Sequence, residues 1–500
     1  MNERCAVDVV ICGAGAAGLT LAIDLARRGI TFRLVEKNAE PFHGSRGKGI
    51  QPRSQEIFED LGILDRLCAV GGVYPTERRY RDDGSYTEAD SIERNASTAA
   101  EPYQQPLMVP QFLTERVMRE RLLELGHRPE FGCELVAFEQ DDEGVSVQLA
   151  SAAGTQSVRA RWLVGADGGR SFVRHALEVG FAGKTLGVRA LVADVQLSGL
   201  TRDCWHRFGE GDLLRQVAVC PLAGTELFQI QAPIALEAQV DLSAQGLTAF
   251  IAKRTGRDDI QVHAVSWASA YSMNARLADH YRVGQVFLVG DAAHIHPPTG
   301  GQGLNTSVQD AYNLGWKLAA VANGAPETLL DTYEQERRPI AASVLGLSTQ
   351  LLQGMQRGDM RRGRDVHQLD LGYPQSSLAL GHAERVGNRA PDARLRGAGG
   401  QSLRLFDLFK GAHWTLLGYG VAPGLVLPRA GLHIHLIGAH GEVIDEQGQF
   451  QDAYELAPGE WVLVRPDGYV GAIVSSGSIQ SLEAYLLQVG LSPVQLEKAC

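Results

Sequence analysis

The sequence predicts a multidomain α/β fold that begins with a parallel β-sheet, and three observations support this class. The chain has 500 residues, which is too many for one ordinary core and favours two or three domains. An apolar strand pattern at the N-terminal end runs into a glycine-rich turn and then into a helical pattern. Two later strand patterns, before Asp167 and Asp291, also lead through glycines into helices. A hydrophobic content of 44% with 21% charged residues is typical of globular proteins.

The first unit reads as strand, glycine turn, helix, strand and acid. The run from Val7 to Cys12 is apolar and rich in β-branched residues, and "GAGAAG" follows with GxGxxG spacing. In such a turn the first glycine permits the tight bend, the second lets the backbone approach a pyrophosphate, and the third lets the helix pack on the sheet. An acid after the second strand accepts hydrogen bonds from ribose hydroxyls. The unit predicts a Rossmann-like dinucleotide site, for NAD or for FAD, formed by Gly13, Gly15, Ala16, Ala17, Gly18, Glu36 and Lys37.

The net charge and the cysteine pattern limit the classes of binding partner and the cellular compartment that we expect. A formal net charge of −11 disfavours a nucleic-acid partner, because phosphate binding needs a basic surface. We see no signal peptide and no apolar run of about 18 residues, so we expect no membrane span. The seven cysteines are scattered without any CxxC pair, which favours free thiols in a cytoplasmic protein.

The segment from Phe287 to Leu318, "FLVGDAAHIHPPTGGQGLNTSVQDAYNLGWKL", permits two interpretations. Asp291, His294 and His296 are residue types that bind metals, but nothing else in the chain supplies a matching cluster of further ligands, so we expect no metal. The alternative is a proline- and glycine-rich loop that leads into a long helix, whose N-terminal N–H groups and dipole can face an anionic flat ring. That interpretation leaves His294 and His296 without a role.

The motifs GAGAAG, GADGGRS and GDAAHIHPPTGGQGLN, in this order, resemble those of the class A flavoprotein monooxygenases, such as p-hydroxybenzoate hydroxylase and phenol hydroxylase. The resemblance covers about residues 5 to 345. It implies that Asp291 contacts the FAD ribityl chain and that Asp167 serves both FAD and NAD(P)H. It also implies FAD contacts for Arg46 in "SRGKGI", where Gly47 replaces the usual alanine, and for Gln111.

The resemblance further implies a reaction. NADPH or NADH reduces the FAD, O2 adds to give a C4a-hydroperoxyflavin, and its distal oxygen hydroxylates a phenolic or polyketide aromatic substrate. The protein must then hold the substrate ring near the flavin and exclude water. From the glycine loop and the helix behind it we expect isoalloxazine contacts at Pro298, Gly301, Leu304 and Asn305, and we expect Gly303 to let the backbone approach the cofactor ring.

The resemblance also suggests the domain organisation: a Rossmann-like FAD-binding domain of the glutathione-reductase type, an inserted β-sheet substrate domain and a C-terminal thioredoxin-like domain. We expect the FAD-binding domain at 1–180 and 275–345, with substrate-domain strands also around 75–110. The substrate domain follows at 181–274, a helix and linker at 346–387, and the thioredoxin-like domain at 388–500. That last domain lacks a CxxC pair and is expected to be structural or to form an interaction surface. Candidate substrate contacts in the inserted domain are Trp205, His206, Arg215, Gln229 and Trp267.

Three functions stay open at this point. The leading one is hydroxylation of an aromatic ring, the second is antibiotic inactivation or Baeyer–Villiger oxygen insertion by the same flavin chemistry, and the third is a flavin-binding reductase or a non-catalytic nucleotide-binding protein. The substrate, the choice between NADH and NADPH, and the oligomeric state, with a homodimer as one option, are not decided by the sequence.

Overall fold

The computed structural model describes residues 6–90, 92–209, 211–297, 299–356, 363–381, 383–438 and 441–493. Its strands before residue 200 are β1 (Val7–Cys12), β2 (Phe32–Glu36), β3 (Gly49–Ile50), β4 (Gly72–Val73), β5 (Thr76–Tyr80), β6 (Tyr86–Ala89), β7 (Leu107–Met108), β8 (Glu130–Phe131), β9 (Glu134–Asp141), β10 (Gly144–Ser151), β11 (Gly154–Gly165) and β12 (Phe181–Ser198). The later strands are β13 (Cys204–Phe208), β14 (Val217–Pro221), β15 (Phe228–Ile234), β16 (Gln261–Ala278), β17 (Arg282–Val283), β18 (Val286–Leu288), β19 (His294–Ile295), β20 (Arg394–Gly397), β21 (Ser402–Arg404), β22 (Trp414–Tyr419), β23 (Leu432–Ile437), β24 (Val443–Ile444), β25 (Glu460–Val464) and β26 (Val470–Ser475).

The helices alternate with these strands. They are α1 (Ala16–Arg27), α2 (Pro52–Asp60), α3 (Leu64–Val70), α4 (Gln111–Glu124), α5 (Phe172–Ala176), α6 (Ala244–Thr255), α7 (Gly303–Ala322), α8 (Asp331–Gln356), α9 (Leu405–Phe409), α10 (Gln449–Tyr454) and α11 (Ile479–Gln488). Short 3₁₀ turns occupy Gly290–Ala292 and Thr299–Gly301. No described helix is both long and apolar enough to cross a membrane.

The N-terminal sheet has the parallel core that the glycine turn predicts. Its strand order is β17-β18-β11-β1-β2-β8, and the β9–β10 hairpin extends β11. β1 pairs in parallel with both β2 and β11, and β11 pairs in parallel with β18. The carboxyl ends of β1, β11 and β18 therefore lie side by side, and each is followed by one of the three motifs. In an open parallel sheet this edge is where ligands bind.

The second sheet is antiparallel for most of its width and forms the inserted domain. Its order is β19-β16-β12-β15-β14-β13-β5-β6, so it draws strands from around residues 76–89 as well as from 181–278. β16 continues past residue 274 and ends at Ala278. One face packs against α6 through an apolar cluster that includes Leu247 and Ile251. The other face is partly covered by the segment 42–48, and we call it the inner face.

The C-terminal domain is a seven-stranded mixed sheet, of the thioredoxin type, in the order β21-β20-β24-β23-β22-β25-β26. Its centre is the parallel pair β22–β23, flanked by antiparallel β25 and β26. The segment expected to be a linker is packed rather than loose, since Val366, Leu369 and Tyr373 are buried. The cysteines Cys12, Cys68, Cys133, Cys204 and Cys220 are free thiols, and Cys5 and Cys500 lie outside the described residues.

Candidate active site

The glycine turn after β1 is shaped by close backbone contact. Gly13 has φ +107°, and a Cβ there would lie 2.4 Å from the Ala166 carbonyl oxygen of the neighbouring strand end. A Cβ on Gly18 would lie 1.9 Å from the Gly13 carbonyl oxygen, so only glycine lets α1 pack this closely. Gly15 precedes α1 and provides no side-chain cap. The N-terminal end of α1 therefore has no side-chain cap from its N-cap residue, as a phosphate site requires, although the Ala16 N–H donates to the Glu115 carboxyl of α4.

Two carboxylates flank this turn. Glu36 Oε2 accepts a hydrogen bond of 3.0 Å from the Ala14 N–H, and its Oε1 accepts one of 3.0 Å from the Asn38 N–H, which joins β2 to the glycine turn. Lys37, next to it, is exposed. Asp167 Oδ2 accepts from the Val173 N–H at 3.1 Å, whereas its buried Oδ1 has no hydrogen-bond partner among the described residues. An orphaned acceptor at the strand edge fits a ligand that carries hydroxyl donors.

Arg46 and Asp291 lie close enough for their charges to act on each other, and we call the space between them and the inner face the cleft. Desolvation by the surrounding protein raises the pKa of Asp291, and the charges of His294 and Arg46 oppose that rise. Gln111 holds the loop beside Arg46, because its backbone N–H donates to the Gly47 carbonyl at 3.0 Å and its Oε1 accepts from the Gly47 N–H at 3.4 Å. The structure thus brings Arg46, Gln111 and Asp291, predicted from distant motifs, to one cleft.

A buried ionic group supports the turn that carries Asp291. Asp310 on α7 accepts from the Gly290 N–H at 3.2 Å, lies 2.6 Å from His294 Nε2, and accepts from Arg337 Nε at 2.7 Å. Burial alone would raise the pKa of Asp310, but Arg337 and His294 outweigh it and lower that pKa. His294 therefore has a structural task that the sequence did not reveal.

His296 packs against this group. Its ring centroid is 4.7 Å from that of His294. Burial, followed by the charge of His294, lowers the pKa of His296 well below its usual range. His294 Nε2 is committed to Asp310.

The glycine loop before α7 folds over the segment that carries Arg46. Gly300 and Gly301 have φ of +81° and +66°, which favours glycine at both positions. The Asn305 side chain donates to the carbonyls of Gly49 and Gly301 at 2.9 and 2.7 Å and accepts from the Gln51 N–H at 2.8 Å. Asn305 thus closes the loop with its side chain. Leu304 borders Gly47, Gly303 begins α7, and Pro298 lies outside the described residues.

The inner face of the second sheet separates the predicted substrate residues. Because side chains alternate along a strand, Trp205, Gln229 and Trp267 share the inner face with Asp194, whereas His206 points to the opposite face. His206 there hydrogen-bonds the Tyr80 hydroxyl at 2.9 Å and the Thr201 carbonyl at 2.8 Å. The fifth candidate, Arg215, is exposed and forms an ion pair with Asp82 at 3.0 Å.

The segment 42–48 crosses and covers part of the inner face. A Cβ on Gly44 would lie 2.2 Å from the Trp267 ring, so the backbone passes directly beneath that ring. Gln229 Nε2 donates to the Ser45 carbonyl at 2.5 Å, and Lys48 Nζ donates to Gln229 Oε1 at 2.7 Å. Lys48 also lies 4.6 Å from the centroid of the Trp205 ring. Gln229 and Trp205 thus hold this segment against the sheet.

An apolar patch occupies another part of the inner face. It consists of the buried Leu186, Ala190, Val192 and Met273, with the partly exposed Trp267 and Tyr271 beside them. The Tyr271 hydroxyl lies within the electrostatic reach of Arg46 and Asp291, and burial raises its pKa. We call these residues the roof patch. Of these residues, only Trp267 was predicted from the sequence. Ala190 and Val192 on β12, and Tyr271 and Met273 on β16, are each two residues apart and so share a face, but this identifies a patch only once the pairing of the two strands is known.

One further group in the described residues has ligand atoms close enough together for a metal ion. It is formed by Asp203, Cys204 and His206, whose candidate atoms lie within 4.8 Å of one another. Both ring nitrogens of His206 are already hydrogen-bonded, and Arg78 contacts Asp203 at 3.4 Å. The group does not fit a cation, because the histidine has no free lone pair and a guanidinium lies beside it.

Two protein families match different parts of the chain. Residues 6–348 match the family described as "FAD binding domain", and residues 383–490 match "Aromatic-ring hydroxylase, C-terminal". Together the two matches include the three motifs, the inner face and the thioredoxin-type sheet.

Individual relatives cover between two thirds and nearly all of the chain. A flavin-dependent monooxygenase of Mycobacteroides abscessus is 42% identical over 97% of this chain and 100% of its own length. A rifampicin monooxygenase of Streptomyces venezuelae is 39% identical over 68% of this chain and 69% of its own. The solved structure of aklavinone-11 hydroxylase, in a ternary complex with FAD and aklavinone, matches with a TM-score of 0.83 at 26% identity, over 98% of this chain and 99% of that one.

Proposed function

Since the chain belongs to the FAD-binding-domain family of aromatic-ring hydroxylases and is an FAD-dependent aromatic monooxygenase, we propose that it uses NADPH or NADH and O2 to hydroxylate a phenolic ring of a fused aromatic polyketide. The observation that carries the proposal is that the roof patch lies beside Arg46 and Asp291, since the charges of both reach the Tyr271 hydroxyl. Reduced FAD supplies the oxygen chemistry, which no side chain could provide.

The residues fit FAD along the length of the cleft. The N-terminal end of α1 would hold the pyrophosphate, and Glu36 would hold the adenosine ribose. Asp167 Oδ1 and Asp291 would accept hydrogen bonds from the ribityl side, and the loop 299–305 would border the ring. Gly13, Gly18, Gly301 and Gly303 would permit the close approach, and Arg46, Gln111 and Leu304 would line the opposite wall.

The roof patch determines what kind of substrate fits. Ala190, Val192 and Met273 offer an apolar surface, and Trp267 and Tyr271 offer flat rings that an aromatic substrate can stack against. Such a surface excludes water and holds a planar substrate without fixed charges. The phenolic or polyketide class follows from this chemistry and from the aklavinone complex of the related hydroxylase.

A second candidate is monooxygenation of an antibiotic such as rifampicin. It is favoured by the 39% identity to the rifampicin monooxygenase, which covers 68% of this chain. The same cleft would serve this reaction, and the identity of the product decides between the two.

The test is a substrate panel with isotope-labelled oxygen. FAD-loaded protein is assayed for NADPH and NADH oxidation with simple phenols, anthracyclinones, tetracyclines and rifampicin, under ¹⁸O2. We expect one polyketide aromatic to accelerate cofactor oxidation and to gain one ¹⁸O atom. Acceleration without labelled product for every compound would contradict the proposal, and labelled rifampicin alone would favour the second candidate.

A bulky side chain in the roof patch should block substrate binding. Val192→Trp fills the space beneath the inner face, so we expect kcat/KM for the best substrate to fall by about 100-fold or more, because each lost 1.4 kcal/mol of transition-state binding costs a factor of ten. FAD content should be retained, and oxidation of NADPH without substrate should remain measurable. Unchanged kcat/KM would place the substrate elsewhere.

A further inference from the structure

One buried carboxyl lies at the phosphate end of the cleft and has no task in the function proposed above. Glu115 on α4 is 1% exposed, and its Oε1 accepts from Gln111 Nε2 at 2.8 Å. The Ala16 backbone N–H also donates to this carboxyl, and Oε1 is the nearest atom, at 3.9 Å, to a Cβ built on Gly15. Glu115 therefore accepts from a donor at the N-terminus of α1, which is where the pyrophosphate of a dinucleotide would bind.

The charges that face Glu115 do not neutralise it fully. Arg119, one turn along the same helix, is the cation in its surroundings, and Glu36 on β2 adds a second negative charge. Burial dominates and raises the pKa of Glu115 to about 7. Arg119 is itself partly buried, and its Nη1 has no hydrogen-bond partner among the described residues.

An ionised Glu115 would weaken the binding of a doubly charged pyrophosphate beside it, because like charges repel strongly in a poorly solvated site. A protonated Glu115 has the opposite effect. It keeps the Ala16 N–H as a donor to one oxygen and presents its own O–H to a phosphate oxygen, which forms a short charge-assisted hydrogen bond.

We propose that Glu115 is a positioning residue for the FAD pyrophosphate that acts in its protonated form, so that FAD binding takes up one proton. This inference requires FAD binding, which the family establishes, and it does not depend on the proposed hydroxylation. It makes FAD affinity a function of pH in the neutral range.

The direction of the effect follows from proton linkage. The pyrophosphate charge raises the pKa of Glu115 further in the complex than in the free protein. Above the pKa of the free protein the complex binds more protons, so FAD affinity falls as the pH rises, by up to about tenfold per pH unit. Below that pKa both states are protonated, and the affinity no longer depends on this group.

The test measures FAD binding alone. Full-length protein stripped of FAD is titrated with FAD between about pH 6 and pH 9, by quenching of flavin fluorescence, for the wild type and for Glu115→Gln. We expect the wild-type Kd to rise with pH, and the Glu115→Gln Kd to stay near the wild-type value at pH 6 throughout. Glu120→Gln, on the exposed face of the same helix, is the matched control and should follow the wild type.

Calorimetry at about pH 8 in two buffers of different ionisation enthalpy counts the protons directly. We expect uptake approaching one proton for the wild type and for Glu120→Gln, and none for Glu115→Gln. This measurement tests the wild type even if a variant fails to fold. A wild type that takes up no proton, a Glu115→Gln protein with the wild-type pH dependence, or one that binds FAD tenfold more weakly at pH 6 would each overturn the proposal. None of these outcomes involves substrate or NADPH, so the proposed function is tested separately.

Discussion

At the residue scale, Gly13 meets the strictest steric demand in the nucleotide turn. Its positive φ and its contact with the Ala166 carbonyl act together, since a side chain there would be strained and would also collide with the backbone. We expect Gly13→Ala to lower the free energy of unfolding by about 2–4 kcal/mol and to abolish FAD retention during purification.

A substitution at Gly29 distinguishes the cost of the positive φ from the cost of the backbone collision. Gly29 also has a positive φ, of +71°, but a Cβ there would meet nothing within 4 Å. Gly29→Ala should therefore cost only about 1–2 kcal/mol, the price of the left-handed conformation, and should keep FAD. Urea unfolding and the ratio of flavin to protein absorbance measure both effects. Equal losses for the two variants would show that the contact with Ala166 contributes nothing.

Single residues differ in how far the sequence reveals their tasks. Gly13 and Gly18 could be predicted because their requirement is local backbone geometry. His294 could not be explained from the sequence, because its partner Asp310 lies on α7 and the two are joined only by the folded chain. Glu115 and Tyr271 were missed for the same reason, since each gains its meaning from a neighbour on another element.

At the element scale, α7 connects the flavin loop to the rest of the protein. Its N-terminal end is closed by Asn305, and one turn further Asp310 ties the Gly290 turn and α8 to the same helix. The helix is therefore the common support for Asp291 and for the glycine loop, which explains why the motif and the helix occur together in the sequence.

Asp310→Asn tests this support. The change leaves the buried Arg337 without its carboxylate and weakens the bonds to Gly290 and His294. We expect the free energy of unfolding to fall by about 3–5 kcal/mol and the FAD Kd to rise about tenfold. Asp331→Asn, at the start of α8 in an ion pair with Arg282 of β17, is the control and should change stability by less than about 1 kcal/mol. If FAD binding is unchanged despite the loss of stability, the turn does not depend on Asp310.

The elements themselves were predictable to different degrees. β1 was predicted with its observed bounds, and α7 ends where the Asn323–Gly324 pair indicates, because both signals are local. The roof patch required the pairing of β12 with β16, which brings positions about 80 residues apart in sequence side by side. The sequence does not encode that pairing in any short pattern, so only Trp267 of the patch was named in advance.

At the scale of the whole molecule, the C-terminal domain is joined to the FAD-binding domain by buried charges. Arg465 pairs with Glu336 on α8 at 2.6 and 2.9 Å and with Asp467 at 2.7 Å. Trp316 on α7 donates to Asp467 at 3.0 Å, and Lys317 pairs with Glu336 at 2.7 Å. Helix α7 and the C-terminal sheet therefore share one charge network, and a single apolar core runs through both domains.

This arrangement predicts that the two domains unfold together. Arg465→Met leaves the two carboxylates with Lys317 as the cation of the network, and we expect a loss of about 3–5 kcal/mol because an uncompensated buried charge remains. The loss should be fully developed above about pH 4.5, the usual pKa of a glutamate, and should shrink as the pH falls below it. Arg465 and Lys317 hold the pKa of Glu336 well below its usual range against the effect of burial, so the wild type keeps the stabilising carboxylate down to low pH. Removing Arg465 raises that pKa, and the variant loses this stabilisation.

Thermal unfolding followed by tryptophan fluorescence and by FAD release tests the coupling. We expect both signals to shift to lower temperature by the same amount in Arg465→Met, because Trp316 and the flavin loop lie on one helix. Arg385→Met removes an exposed pair with Glu455 in the C-terminal region and should shift neither signal by more than about 2 °C, since exposed ion pairs contribute little. The contrary outcome is that Arg465→Met lowers only the temperature of the tryptophan transition, while FAD release stays at the wild-type temperature. In that case the N-terminal end of α7 stays ordered without the C-terminal domain, and the charge network stabilises only the docking of that domain.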